Sequence, residues 1–175
     1  MNKIVFITGG ARSGKSSFAI AEASKIKGKK AYIATAEAID KEMKDRIKKH
    51  KKQRGDDWYT HEEPIKISGV IKKIKDGYSV IVLDCLTLWL SNIMHTNLEI
   101  ETEIEHLISS LVTCHSSRVY IVSNEVGMGI VPENEMARRF RDYAGILNQK
   151  VAEVSDEAYM VVAGIPMKIN YKRRR

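Results

Sequence analysis

Apolar positions in this chain follow two periods that take turns along its length. Short unbroken apolar runs, as expected of strands buried on both faces, occur at Lys3–Thr8, Ala31–Ala34, Ser79–Asp84, Val119–Ser123 and Ala158–Gly164. Between them the apolar residues step three or four apart, which predicts amphipathic helices. Ala19, Ala23 and Ile26 mark the first, closed by Gly28. Ile39, Met43 and Ile47 mark a second, with Asp40 as its N-cap and a run to about Lys52. Trp58 and Glu62-Glu63-Pro64 read as a loop, with Pro64 in the first turn of a helix that carries Ile67, Val70, Ile71 and Ile74 and stops at Asp76-Gly77. Further helices are predicted over Cys85–Met94, over Glu99–Cys114, and over about 20 residues from Ala137 through Phe140, Ala144, Leu147 and Val151 to Val154.

Strands alternating with helices predict an α/β fold: a mostly parallel sheet flanked by helices on both faces. Right-handed crossovers place the loops that follow the strands along one edge of that sheet. Ser16, Thr35, Asp84 and Glu125 are expected to gather there. Open parallel sheets bind their ligands along that edge.

The loop after the first strand carries the chemistry. Gly9-Gly10-Ala11-Arg12-Ser13-Gly14-Lys15-Ser16 fits the phosphate-loop pattern G-x-x-x-x-G-K-[ST] in full, between a strand and a helix. Glycines let the backbone turn its amides onto phosphate oxygens, and the helix start adds its positive dipole end. In this pattern Lys15 reaches the β- and γ-phosphates, and the Ser16 hydroxyl is a ligand of Mg²⁺. Ser79–Asp84, an apolar strand closing on a carboxylate, fits the Walker B pattern, whose aspartate shares the metal.

Composition narrows the class. At 175 residues, 43% hydrophobic and 29% charged, the chain suits a single globular domain, residues 1–175. No apolar run approaches the ~20 residues of a membrane span, and no signal peptide is expected before the first strand. Two cysteines, Cys85 and Cys114, are too few and too isolated for a disulfide framework or a zinc site, so a cytoplasmic location is expected. Net charge is +7, concentrated in Lys48–Arg54 and in the tail Lys172–Arg175. The tail reads as a solvated terminus. The first cluster reads as a nucleic-acid patch, a polyanion site or a solvated helix face.

Four stretches together narrow the reading further. They are Thr8–Ser16; Ala34-Thr35-Ala36 with Asp40, Glu42, Met43, Arg46, Ile47, His50 and Arg54; Asp84–Asn92; and Asn124–Pro132, continuing through Arg139–Asp142, Gly145 and Asn148-Gln149. Over nearly its full length the chain resembles the bifunctional adenosylcobinamide kinase / adenosylcobinamide-phosphate guanylyltransferase family of cobalamin assembly. The resemblance implies a RecA-like P-loop fold, a homotrimer, Mg²⁺ as cofactor, and ATP and GTP as substrates. It also implies two reactions: phosphorylation of the adenosylcobinamide hydroxyl, then transfer of GMP from GTP through a guanylylated histidine to give adenosylcobinamide-GDP.

His50 aligns with that histidine. A neutral imidazole is a competent nucleophile at phosphorus, and a reference pKa near 6.5 leaves much of it neutral at pH 7. On composition alone, a histidine among lysines reads as a solvated surface residue. The resemblance further implies nucleotide contacts from Ala34, Thr35, Ala36, Lys51, Lys52, Gln53, Arg54, Glu62 and Asp84, besides the phosphate loop. Glu125 is left with three roles: ordering Mg²⁺, acting as a base, or bracing its loop. A nucleic-acid-dependent ATPase of RecA type, using the basic segments, is one alternative, and a kinase without the second step is another. The chain has no evident aromatic stacking platform for strands, so no nucleic-acid partner is expected.

Overall fold

The computed structural model describes residues 3–37, 55, 57–115 and 117–169. The chain begins with strand β1 (Lys3–Thr8), and the phosphate loop leads into helix α1 (Lys15–Ser24). Strands β2 (Lys30–Ala34) and β3 (Trp58–Glu62) follow, then helix α2 (Ile67–Ile74) and strand β4 (Val80–Asp84). Helices α3 (Leu86–Met94) and α4 (Ile100–Val112) come next in succession, then strand β5 (Arg118–Val122). The long helix α5 (Glu135–Val154) precedes the hairpin of β6 (Glu157–Val162) and β7 (Ile165–Ile169).

All seven strands form one sheet in the order β3-β2-β4-β5-β1-β6-β7. Every neighbouring pair is parallel except β6 with β7. The central strands β4 and β5 are almost wholly buried, which is why they read as continuous apolar runs rather than as alternations. One face packs under α1, with Val5, Ile7, Tyr32, Val80, Val82, Tyr120 and Val122 against Ala19, Ile20 and Ala23. The other packs under the later helices, with Phe6, Ile33, Ile81, Leu83, Val119 and Ile121 against residues such as Ile71, Trp89, Ile104 and Leu147. The expected mostly parallel α/β sheet with helices on both faces is present.

Three expectations change. Trp58–Glu62, read as a loop, is the strand β3 at the sheet's edge, paired with β2 from Lys30↔Trp58 to Ala34↔Glu62. Ala158–Gly164, read as one last strand, stops at Val162, and a further strand pairs back on it. Ala163 (φ 51°) and Gly164 (φ 82°) form the two-residue turn between β6 and β7. A tight hairpin asks for positive φ at both such positions, and glycine meets it without strain. Helix α2 begins at Ile67, three residues beyond Pro64, with Glu63 Oε1 accepting from the amides of Ile65 and Lys66 to make the turn before it. The helix expected over residues 40–52 lies outside the described residues.

Candidate active site

The phosphate loop follows from its backbone. Gly9 has φ 146°, and a Cβ there would sit 2.3 Å from the Val161 carbonyl of β6. Gly14 (φ 100°) is the N-cap of α1, and a Cβ on it would press on Gly164 of the hairpin turn at 3.2 Å. The β6–β7 hairpin therefore walls one side of the loop. Gly164 N also donates to Ser13 O at 2.9 Å. On the opposite side, Glu125 N donates to Gly9 O at 2.9 Å.

Lys15 is only 5% exposed, and its Nζ donates to Gly10 O at 2.5 Å and to Ser13 Oγ at 3.4 Å. The ammonium is thus folded into the loop that carries it. Ala11 and Arg12 form the outer bend of the loop, with Arg12 in the left-handed region (φ 55°), and Ser16 stands in the first turn of α1.

Strand order sets what faces the loop. β5 lies between β1 and β4, so the residues after β5 sit between the phosphate loop and Asp84. Asp84 ends β4. Its backbone O accepts from Thr35 N at 3.1 Å, and its Oδ2 accepts from the Tyr32 hydroxyl at 2.7 Å. Thr35 is fully buried, and its hydroxyl meets both polar groups of Cys85: it donates to Cys85 O and accepts from Cys85 N, each at 2.8 Å. Its side chain thus braces the end of β4. Asn92 on α3 reaches back to Thr35 O (2.9 Å) and Pro64 O (3.1 Å), tying the ends of β2 and β3 to that helix.

Ala34 ends β2, Ala36 follows beside it, and Glu62 pairs with Ala34 across the β2–β3 register. Ala34, Thr35, Ala36, Glu62, Asp84 and the whole phosphate loop therefore lie along the C-terminal edge of one sheet. His50, Lys51, Lys52, Gln53 and Arg54 lie outside the described residues. On the side where the chain returns to the sheet, buried Lys30 pairs with Asp57, and that ammonium holds the Asp57 carboxyl below the usual carboxylate range.

Glu125 Oε1 accepts from Gly127 N at 2.6 Å, a contact that braces its loop. Asn124 Nδ2 donates to Thr87 Oγ1 at 2.8 Å, and Asn148 on α5 donates to Asn124 O at 3.2 Å. The loop beyond is apolar and exposed: Met128, Ile130 and Val131 project into solvent, Ile130 at 96%. Sequence reasoning missed Tyr32, the ties that Asn92 makes and the wall made by Val161 and Gly164. For the hairpin, the small pair Ala163-Gly164 between two short apolar stretches was the available signal.

Comparison with known proteins narrows this nucleotide-binding architecture. The family model described as cobinamide kinase / cobinamide phosphate guanyltransferase (CobU) matches residues 5–169. The chain belongs to that family. It is 40% identical to the bifunctional adenosylcobalamin biosynthesis protein CobP of Pseudomonas aeruginosa, across 92% of this chain and 94% of that one. To the bifunctional adenosylcobalamin biosynthesis proteins CobU of Salmonella typhimurium and Escherichia coli it is 39% and 37% identical, covering 95% of this chain and 99% of each.

Solved structures similar to it include the flagellar accessory protein FlaH of Methanocaldococcus jannaschii, with a TM-score of 0.52 at 12% identity over 97% of this chain and 78% of that one. The RadB recombinase gives 0.55 at 14% identity, over 90% and 73%. These likenesses show the RecA-like P-loop fold and nothing of the substrate.

Proposed function

We propose that this CobU-family chain performs two successive transfers on adenosylcobinamide. In the first, the γ-phosphoryl of ATP or GTP passes to the substrate hydroxyl: the O–P bond forms, the γ-phosphorus–oxygen bond to the nucleoside diphosphate breaks, and the hydroxyl proton leaves. In the second, a His50 ring nitrogen attacks the α-phosphorus of GTP and pyrophosphate departs. A phosphate oxygen of adenosylcobinamide phosphate then displaces His50 and takes the GMP. Two displacements in series retain the configuration at phosphorus.

The observation that carries this reading is the complete phosphate loop, with Lys15 in place, at the same sheet edge as Asp84 in a chain of this family. Lys15 and the loop amides of Gly9, Gly10, Ala11, Arg12, Ser13 and Gly14 bind the β- and γ-phosphates, and they stabilise charge that shifts to the leaving oxygen. Ser16 and Asp84 would hold Mg²⁺. A hydroxyl and a carboxylate are hard oxygen donors, and this ion is ordinarily held by one or two protein groups together with phosphates and water. When bound, the ion neutralises phosphate charge. Ala34, Thr35, Ala36, Glu62 and the basic segment Lys51–Arg54 complete the nucleotide contacts.

One catalytic domain, a homotrimeric assembly and a cytoplasmic location complete the reading. No helix among the described residues is long and apolar enough to cross a membrane. The likeness to RadB concerns the fold alone and does not favour a polynucleotide substrate.

The test is a labelling experiment. Incubation with α-labelled GTP should leave an acid-labile, alkali-stable label on the protein, as a phosphoramidate is, and adenosylcobinamide phosphate should chase it off as GMP. His50→Ala should abolish the label and the formation of adenosylcobinamide-GDP while leaving phosphorylation of adenosylcobinamide largely intact. A label that persists in His50→Ala would place the nucleophile elsewhere.

A further inference from the structure

The strand beside Asp84 holds its carboxylate as well as its backbone. β2 and β4 run parallel with Tyr32 opposite Val82 and Ala34 opposite Asp84. Two residues along a strand return to the same face, so Tyr32 and Asp84 project together to the α1 side. Tyr32 is 4% exposed, within the apolar cluster that includes Ala19, Ile20 and Val82, and its ring meets Trp58 edge-on at 6.4 Å between centroids. Packing of that kind needs only the ring, and phenylalanine would supply it. The hydroxyl does something the ring cannot, donating to Asp84 Oδ2 at 2.7 Å.

We propose that Tyr32 is a positioning residue for metal binding: its hydroxyl holds the Asp84 carboxylate in the orientation that shares Mg²⁺ with the nucleotide at the phosphate loop. The inference rests on the reading of Asp84 given above. A carboxylate ending a strand can rotate about its own side-chain bonds. A donor fixed in the core removes that freedom, takes one oxygen and leaves the other to face the ion's ligand shell. Such outer partners of a metal-binding carboxylate commonly set affinity by about 10–100-fold. β2 and the residue that follows it thereby hold Asp84 at two points, the backbone through Thr35 and the carboxylate through Tyr32.

The experiment uses the full chain with a non-hydrolysable GTP analogue and Mn²⁺, whose binding is read by the loss of its free-ion electron paramagnetic resonance signal. Tyr32→Phe should weaken Mn²⁺ binding to the nucleotide complex by about tenfold or more. Binding of the analogue in the presence of EDTA should stay within about twofold of the parent, because the outer partner acts on the metal and not on the phosphates. The half-saturating Mg²⁺ for phosphorylation should rise in parallel, with the KM for adenosylcobinamide unchanged.

Incorporation of 3-fluorotyrosine at position 32, which keeps ring and donor, should preserve the parent's Mn²⁺ affinity. A loss of Mn²⁺ affinity in this variant, whose donor is intact, would overturn the hydroxyl as the operative group, so the proposal stays open to refutation even if the phenylalanine variant folds poorly. Unchanged Mn²⁺ affinity in folded Tyr32→Phe overturns the proposal, and so does equal loss of metal-free nucleotide binding. Asp84→Asn, run alongside, separates the two ideas. If it weakens Mn²⁺ binding and Tyr32→Phe does not, only the Tyr32 inference fails. If neither variant has an effect, the metal reading of Asp84 fails with it.

Discussion

At the scale of single residues, the phosphate loop shows how a motif becomes geometry. Gly9 is required because the Val161 carbonyl fills the space a side chain would need, and Gly14 because it opens α1 from the left-handed region. The motif was legible because its strand and helix were legible around it. The Lys15 ammonium, buried and bonded to Gly10 O and Ser13 Oγ, rests on neutral oxygens of its own loop. Exchanging those neutral partners for anionic phosphate oxygens adds attraction between opposite charges, and hydrogen bonds to charged groups are worth about 1.5–3 kcal/mol each. Lys15→Ala should therefore weaken ATP and GTP binding by roughly 10–100-fold, without loss of helical signal in circular dichroism. Near-parental affinity in isothermal titration would count against the loop as the triphosphate site. Thr35 and Glu125 were legible as edge residues but not in their detail. A threonine hydroxyl clamped between the N–H and C=O of one residue, or a glutamate capping its own loop, is decided by backbone that sequence periodicity does not contain. Tyr32 was hidden for a related reason: in a buried strand it reads as one more apolar residue.

At the scale of elements, the interior was readable and the edges were not. β4 and β5 announce themselves because both faces are buried. β3 buries almost nothing and leaves no apolar run, while β7 is exposed along its whole length and carries Ile165, Met167 and Ile169 only at alternate positions. The β-formers Trp58, Tyr59 and Thr60 were the signal available for β3. Hydrogen bonds and charge contribute more at these margins. Glu157 at the start of β6 accepts from Lys168 of β7 at 2.6 Å and pairs with Lys3 of β1 at 2.8 Å, so one carboxylate links three strands. Bonds from Lys168 and then Lys3 push its pKa down to about 2. A carboxyl whose folded pKa is depressed contributes stability that is complete above its unfolded value near 4.5 and is lost as pH falls toward about 2. Solvent screens both lysines, so the contribution is put at about 1–2 kcal/mol. Glu157→Gln should lower unfolding free energy by that amount at pH 7, and urea titrations should show the gap closing between pH 4.5 and 2. A gap that stays constant over this range would mean that the ion pairs do not carry it.

At the scale of the whole molecule, the question is what covers its apolar surface. Helix α3, the most apolar in the sequence, invites the reading that part of it meets another subunit. The fold uses that surface internally: Leu86, Trp89, Leu90 and Ile93 are buried in the chain's own core, and the Trp89 indole N–H donates to Ile65 O at 2.7 Å. Exposed apolar residues concentrate instead in two places. One is the loop after β5 with Val126, Met128, Ile130 and Val131, and the other is the β6–β7 hairpin with Val162, Ile165, Met167 and Ile169. Both are tied by backbone bonds to the phosphate loop, the first at Gly9 and the second at Ser13. Exposed apolar patches of this kind mark interaction surfaces. Subunits meeting there would add a neighbour's surface beside the nucleotide, which suits an enzyme that must enclose a triphosphate and a second substrate. If the chain forms the proposed homotrimer, it should sediment at micromolar concentration near three times its 19.8 kDa mass. Ile130→Glu and Met167→Glu each place a charge at the centre of one patch. The substitution that lies in the contact should shift the chain toward monomer and slow both transfers, while a substitution outside it should leave the assembly intact. A parent chain that sediments as a monomer would remove the trimer from the proposed function, and it would leave both patches open to the substrates that arrive at the loop.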